Sequence, residues 1–348
     1  MIPGDGIGPE VIAAAIPIIA AATKRTGHHL EFEFLPWSAE HYLRTGETLP
    51  EPGFIHLRDD VDGILLGALG DPRVPGHEHA RDILLGLRQR LDLYVNLRPL
   101  RRWSERLTPL RGGRGAGGQK ESAIDFVIFR ENTEGQYVGR DRVEHAGQPD
   151  EAHISEEVNS IRGVSRIIEA AFEWAQLHHR TRLTLCDKSN AIAAQRIWPR
   201  IFAEIGSRYP AIEREHRYVD TLAMELVQDP SRFQVIVTTN LYGDILSELA
   251  TGLVGGPGVA ASANLHPGRP GLFEPVHGSA PALAGTGKAN PIATILAGAL
   301  MLEQLGLTEP AGLIEAAVRQ TLGSASFTPD LGGTATTAMV AASILKLL

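Results

Sequence analysis

Two hydrophobic rhythms alternate along the chain. Short apolar runs of strand length occur at GILLGAL (63–69), LDLYVNL (91–97), DFVIF (125–129), RLTLC (182–186) and FQVIVTT (233–239). Each is too short for a helix and rich in branched residues, as expected of a strand buried on both faces. Between them the period changes to that of a helix. The clearest stripe is Val164, Ile167, Ile168, Ala171, Phe172 and Ala175, and further helical segments are expected at 291–305, 310–322 and 334–347. The long apolar run VIAAAIPIIAAA contains Pro17 and follows a glycine-rich turn, so it reads as a buried helix. Strands alternating with helices predict an α/β architecture. The stretch 101–120 is rich in Gly and Arg, lacks either period, and reads as a mobile surface loop. No internal repeat is visible.

Composition narrows the class. The 348 residues allow two domains, and 43% hydrophobic residues support a large core. A formal net charge of −8 argues against non-specific nucleic-acid binding. No apolar run reaches the length of a membrane span, and no leader pattern is seen at the N-terminus. The single cysteine, Cys186, excludes an internal disulfide framework and fits a reducing cytoplasm; within an apolar run it reads as a small buried residue rather than a nucleophile.

Candidate chemistry clusters in a few places. In NLYGDILSE (240–248), Asp244 and Glu248 stand four apart, so a helix puts both carboxylates on one face. Like charges at that spacing repel unless a cation lies between them, and a hard divalent ion suits carboxylate oxygens. Surface helices carry such pairs routinely, so the pair alone decides little. The N-terminal GDGIGPE is spaced G-x-G-x-G, with no strand expected before it, so it is not the dinucleotide fingerprint. It reads as a tight turn into a helix whose first turn holds Pro9. Arg88, Arg98 and Arg130 lie at or beside apolar runs. Each alone reads as a solvated terminus, whereas together they suit bidentate binding of substrate carboxylates. Tyr137 and Lys188 supply a proton donor and a group to tune it, and Asp220 a further carboxylate.

The ordered set of GDGIGPE, LRQRLDLYVNLRP, RENTEGQY, the DKSN lysine, YVDTLAM, NLYGDILSE, LFEPVHGSAP, ANP at 289–291 and DLGG at 330–333 covers nearly the whole chain. It resembles the isocitrate and isopropylmalate dehydrogenase family of decarboxylating β-hydroxyacid dehydrogenases. The resemblance implies two α/β domains of non-Rossmann type around a large mixed sheet, the first built from about 1–98 and 255–348, the second from 99–254. It also implies a homodimer with a clasp from roughly 138–155 and shared active sites. Arg88, Arg98 and Arg130 would then bind the malate-like carboxylates. Asp244 and Glu248, with Asp220 of the second subunit, would hold Mg²⁺ or Mn²⁺. Lys188, also from the second subunit, would accept the hydroxyl proton, and Tyr137 would protonate the enol carbon. NAD or NADP would lie along GDGIGPE, Glu274, His277, Gly278, Ala282 and Asn290.

Departures from the family pattern are informative. Glu248 stands where the family usually has Asp. Ala282 and Leu283 follow the SAP motif, where NAD users usually carry Asp and NADP users often carry Lys and an aromatic residue. The chain also starts at the glycine turn, whereas relatives have about five strand residues before it, so the first strand is expected to be missing or cut short. Leu84 and Leu85 precede Arg88 and are apolar, as in isopropylmalate enzymes, while RENTEG and GALGDPRVP lean toward the isocitrate, tartrate and D-malate branches. The preferred substrate is 3-isopropylmalate-like. D-malate or tartrate, (homo)isocitrate, and a non-catalytic paralogue are the alternatives.

Overall fold

A computed structural model describes residues 1–110, 124–324 and 327–348. The described strands are β1 (Ile2–Gly4), β2 (Gly63–Ala68), β3 (Val95–Arg101), β4 (Asp125–Glu131), β5 (Asp141–Glu144), β6 (Ala152–Ser155), β7 (Arg182–Asp187), β8 (Glu213–Tyr218), β9 (Val235–Thr238), β10 (Ala261–Leu265) and β11 (Gly271–Pro275). The chain forms two compact units, Met1–Leu93 with Arg101–Arg111 and Thr251–Leu348, and Tyr94–Leu100 with Gly112–Ala250. The expected division put 1–98 and 255–348 together and 99–254 in the middle; among the described residues 94–98 instead group with the middle, and 101–110 and 251–254 with the chain ends. Of the loop expected at 101–120, residues 111–120 lie outside the described residues, and 105–107 form a short 3₁₀ turn.

In the first unit the strand order is β1-β2-β11-β10. β1 runs parallel to β2 and β2 parallel to β11, whereas β10 and β11 are antiparallel, so the sheet is mixed. The Ile292–Gln304 helix is buried along almost its whole length and packs on β10, β11 and the Gly8–Arg25 helix. A helix apolar on every side can only be an inner one. A second apolar cluster gathers Trp37, Phe54, Ile83, Leu87, Leu91 and Leu93.

The GDGIG turn does follow a strand, contrary to expectation. Ile2 pairs with Leu66 and Gly4 with Ala68, so three residues suffice to add β1 to the sheet edge. The turn then packs so closely that a Cβ on Gly6, at φ +56°, would lie 1.9 Å from the Ser279 carbonyl oxygen. The expected strand at 91–97 is also revised. β3 begins only at Val95, because Asp92 takes φ +50° and turns the chain. Leu91 and Leu93 are apolar because they fill the core cluster, not because they pair in a sheet.

In the second unit the order is β3-β4-β9-β7-β8, and the β4–β9, β9–β7 and β7–β8 pairs are parallel. The Ile161–Leu177 helix lays the stripe read from the sequence against β4, β9 and β7, and Phe172 stacks on Phe202 and Tyr209. Cys186 is buried in β7, where desolvation pushes its thiol far above the ordinary range and leaves it inert as a nucleophile. β5 and β6, within the span expected to form a clasp, make an exposed antiparallel pair of their own. Among the described residues no helix is long and apolar enough to cross a membrane.

Candidate active site

β4 delivers Arg130, β3 delivers Arg98, and the first turns of the Asn240–Val254 helix that follows β9 deliver the carboxylates. Both arginines are buried, at 4% and 8% exposure, which removes the reading of them as solvated strand ends. A buried guanidinium must be paired, and here the partners come from the Asn240–Val254 helix. Arg98 donates through Nη1 to Ser247 Oγ at 2.7 Å and Glu248 Oε1 at 3.1 Å, and through Nη2 to Asp244 Oδ1 at 3.5 Å. Arg130 Nη1 donates to the same Asp244 oxygen. Gly243 makes this possible, since a Cβ there would lie 2.5 Å from the Arg130 stem. The i,i+4 carboxylates are thus offset by two arginines in the isolated chain.

Tyr137 sits in the Gln136–Val138 turn between Gly135 and Gly139, whose φ values of +84° and +68° bend the chain sharply on both sides. Its hydroxyl donates to Asp244 Oδ2 at 3.5 Å. Partial burial and then the Asp244 charge push its phenol up, with Arg130 opposing, so the group holds its proton at neutral pH.

Lys188 and Asp220 form a separate pair at 2.5 Å. Lys188 follows β7 and Asp220 opens the Val219–Gln228 helix. The lysine hydrogen bond holds the Asp220 carboxyl below the usual range, so it is anionic at neutral pH. Asp220 does not join Asp244 and Glu248 in one chain: among the described residues no group of three His, Cys, Asp or Glu is placed to hold a metal.

The remaining expected residues lie in the first unit. Arg88, near the end of the Glu78–Arg90 helix, donates to Glu274 Oε1 at 2.7 Å, and Asn264 donates to the same oxygen at 3.0 Å. A residue expected on the substrate and one expected on the cofactor are therefore joined directly. Arg88 Nε is buried without a partner. Leu84 packs partly into the Ile83–Leu87 cluster, whereas Leu85 is 41% exposed. His277 donates through Nδ1 to the Gly278 carbonyl at 3.0 Å, leaving Nε2 buried and unpartnered. Burial lowers its imidazole pKa and favours the neutral form. Ala282 is exposed in the Pro281–Leu283 turn. Asn290 donates to Asp330 at 3.0 Å and accepts from the Ile292 amide, fixing the start of the inner helix.

The residues suit the groups expected of them. Asp244 and Glu248 offer hard oxygen donors for Mg²⁺ or Mn²⁺, though fewer than a cation needs from one chain. The orphaned Arg88 Nε suits a substrate carboxylate, and the open His277 Nε2 suits a hydrogen-bond donor on a nucleotide. Sequence reasoning passed over the residues that orient the arginines. Asn240, Asn96 and Ser247 are buried and polar, and each bonds Arg130 or Arg98. Asn240 was detectable as a polar residue ending a buried apolar run.

Comparison with known proteins identifies the family. The family model described as isocitrate/isopropylmalate dehydrogenase matches residues 1–344. The chain is 44% identical over 321 residues to a 3-isopropylmalate dehydrogenase of Beutenbergia cavernae, covering 91% of this chain and 90% of that protein. It is 42% identical over 357 residues to the decarboxylating D-malate dehydrogenase of Escherichia coli, covering 100% and 97%. The crystal structure of isocitrate dehydrogenase from Methylococcus capsulatus is similar with a TM-score of 0.88 at 37% identity, covering 99% of this chain and 97% of that one. This chain belongs to the isocitrate/isopropylmalate dehydrogenase family.

Proposed function

We propose that this chain is a metal-dependent, NAD- or NADP-dependent dehydrogenase that oxidises a malate-type 2-hydroxy acid with loss of its β-carboxylate as CO₂. The arrangement of Arg98 and Arg130 around Asp244 and Glu248, with the Tyr137 hydroxyl beside them, carries this reading. Arg88, Arg98 and Arg130 would bind the substrate carboxylates, because planar guanidinium donors match them bidentately. Asp244 and Glu248, with Asp220 of a second copy, would hold Mg²⁺ or Mn²⁺. When bound, that cation supplies charge that lowers the substrate hydroxyl pKa and steadies the oxygen once CO₂ has left. The nicotinamide supplies the hydride acceptor, held beside Glu274, His277, Gly278, Ala282 and Asn290. Lys188 Nζ takes the hydroxyl proton. Tyr137 Oη, protonated at neutral pH, returns a proton to the enol carbon.

The preferred substrate carries a branched alkyl group at C3, because Leu85 is apolar and exposed one turn before Arg88. Relatives named 3-isopropylmalate dehydrogenase, 42–44% identical to this chain, support this choice. A D-malate-type substrate is the second reading, favoured by the Escherichia coli relative that matches over the full chain. The deciding experiment incubates the protein with 3-isopropylmalate, D-malate, tartrate, isocitrate and homoisocitrate, each with NAD or NADP and with Mg²⁺ or Mn²⁺. Reduced nicotinamide and CO₂ should form together, fastest with the branched acid, and chelator should stop both. Turnover confined to D-malate would move the assignment to the second reading, and no turnover at all would overturn both.

A further inference from the structure

Asn240 is the first residue of the Asn240–Val254 helix and is buried at 2% exposure. Its Oδ1 accepts from Arg130 Nε at 3.0 Å and from Nη2 at 2.8 Å. Its Nδ2 donates to the Glu134 carbonyl at 2.9 Å. Guanidinium nitrogens only donate and a carbonyl only accepts, so the network fixes which amide atom is oxygen. Few side chains of this size can accept on one end and donate on the other. The Glu134 carbonyl lies three residues before Tyr137, in the segment that reverses at Gly135. There the main chain is clamped from the far side, because Gly135 exchanges hydrogen bonds with Val158 at 2.8 and 3.1 Å. The approach is tight, as a Cβ on Gly135 would lie 3.0 Å from the Asn240 Cβ.

We infer that Asn240 is a positioning residue that couples the orientation of the Arg130 guanidinium to the placement of the Tyr137 turn. The inference rests on the proposed roles of Arg130 in carboxylate binding and Tyr137 in proton return. One side chain thereby holds the carboxylate-binding and proton-donating groups in a common frame, and its two ends can be separated by substitution. Asn240→Asp keeps an acceptor for Arg130 but sets a second acceptor against the Glu134 carbonyl. Asn240→Ala removes both contacts.

The test combines steady-state kinetics, on whichever 2-hydroxy acid the wild type turns over, with amide hydrogen exchange across 135–138 in the free protein. Asn240→Asp should lower kcat by about 10–100-fold, raise KM far less, and speed exchange at 135–138. Asn240→Ala should lower kcat similarly, raise KM as well, and speed exchange in the same segment. Wild-type exchange and kcat in Asn240→Asp would overturn the inference, as would identical KM and kcat changes in the two variants. If Asn240→Ala does not fold, Asn240→Asp carries the test alone. If the wild type turns over none of the acids, the proposed function fails, while unchanged exchange in Asn240→Asp would separately sink the coupling to the turn.

Discussion

Leu84 and Leu85 are neighbours with different surroundings, and the difference assigns them different work. Leu84 leans on the apolar cluster around Ile83 and Leu87, while Leu85 is largely free of it. Substituting Leu84 removes packing for any substrate. Substituting Leu85 removes apolar surface that only a branched substrate would cover. Leu85→Ala should therefore weaken kcat/KM for a branched alkyl malate by roughly 1–3 kcal/mol while sparing unsubstituted malate. Leu84→Ala should lower unfolding stability by about 2 kcal/mol and affect both substrates alike. The ratio of kcat/KM for the two acids, with a urea melt of each variant, separates the roles. A Leu85→Ala enzyme that loses equally on both acids would place the distal pocket elsewhere.

Elements are held in register by a few buried polar ties, one of them at Asp5. Its Oδ1 accepts from the Ala39 amide at 2.6 Å, and its Oδ2 from the Gly70 amide at 2.8 Å and from His79 Nε2 at 2.7 Å. One carboxylate thus joins the glycine turn, the start of the Ala39–Thr45 helix, the loop after β2 and the Glu78–Arg90 helix. His79 is fully buried, so His79→Ala both opens a cavity and leaves Asp5 short of a partner. A loss on the order of 3 kcal/mol in denaturant unfolding is expected, with Asn at this position recovering part of it. A variant as stable as wild type would show that the two amides alone hold Asp5. Nothing in the sequence pointed to this tie, because Asp5 and His79 are far apart in the chain and each is ordinary alone. The same limit explains which elements were legible. β2, β4, β7 and β9 announce themselves as continuous apolar runs because both their faces are buried, and the Ile161–Leu177 stripe by its helical period. β8 reads EREHRY, lies at the sheet edge beside β7 and buries none of its residues, its two half-buried positions Glu215 and Arg217 being charged, so it carries no apolar signal. β1 is too short to show any period.

At the scale of the whole molecule, the catalytic candidates of the second unit fall into two sets. Arg98, Arg130, Tyr137, Asp244 and Glu248 form one, and Lys188 with Asp220 forms the other. The sequence named every member, through motif resemblance, but spacing alone did not separate the sets. Contacts across the fold do. Asp244 and Glu248 gain no third acidic or imidazole ligand from their own chain among the described residues, and two carboxylates leave most of a cation's coordination sphere unfilled. The proposed reading completes each site with Lys188 and Asp220 of a second copy, which makes a quantitative demand. Lys188→Met and Asp244→Asn should each be inactive as pure proteins. In a randomly assorted mixture about half the dimers carry one of each, and every such dimer holds one site with both lesions and one with neither, so roughly a quarter of wild-type activity should return if two identical copies close a two-fold assembly. Co-expression with two different affinity tags, followed by sequential purification and assay of the doubly tagged dimer, measures this directly, and that species should approach half of wild-type turnover. A doubly tagged dimer with no activity would confine Lys188 and Asp244 to the same subunit's site and remove the shared-site arrangement from the mechanism.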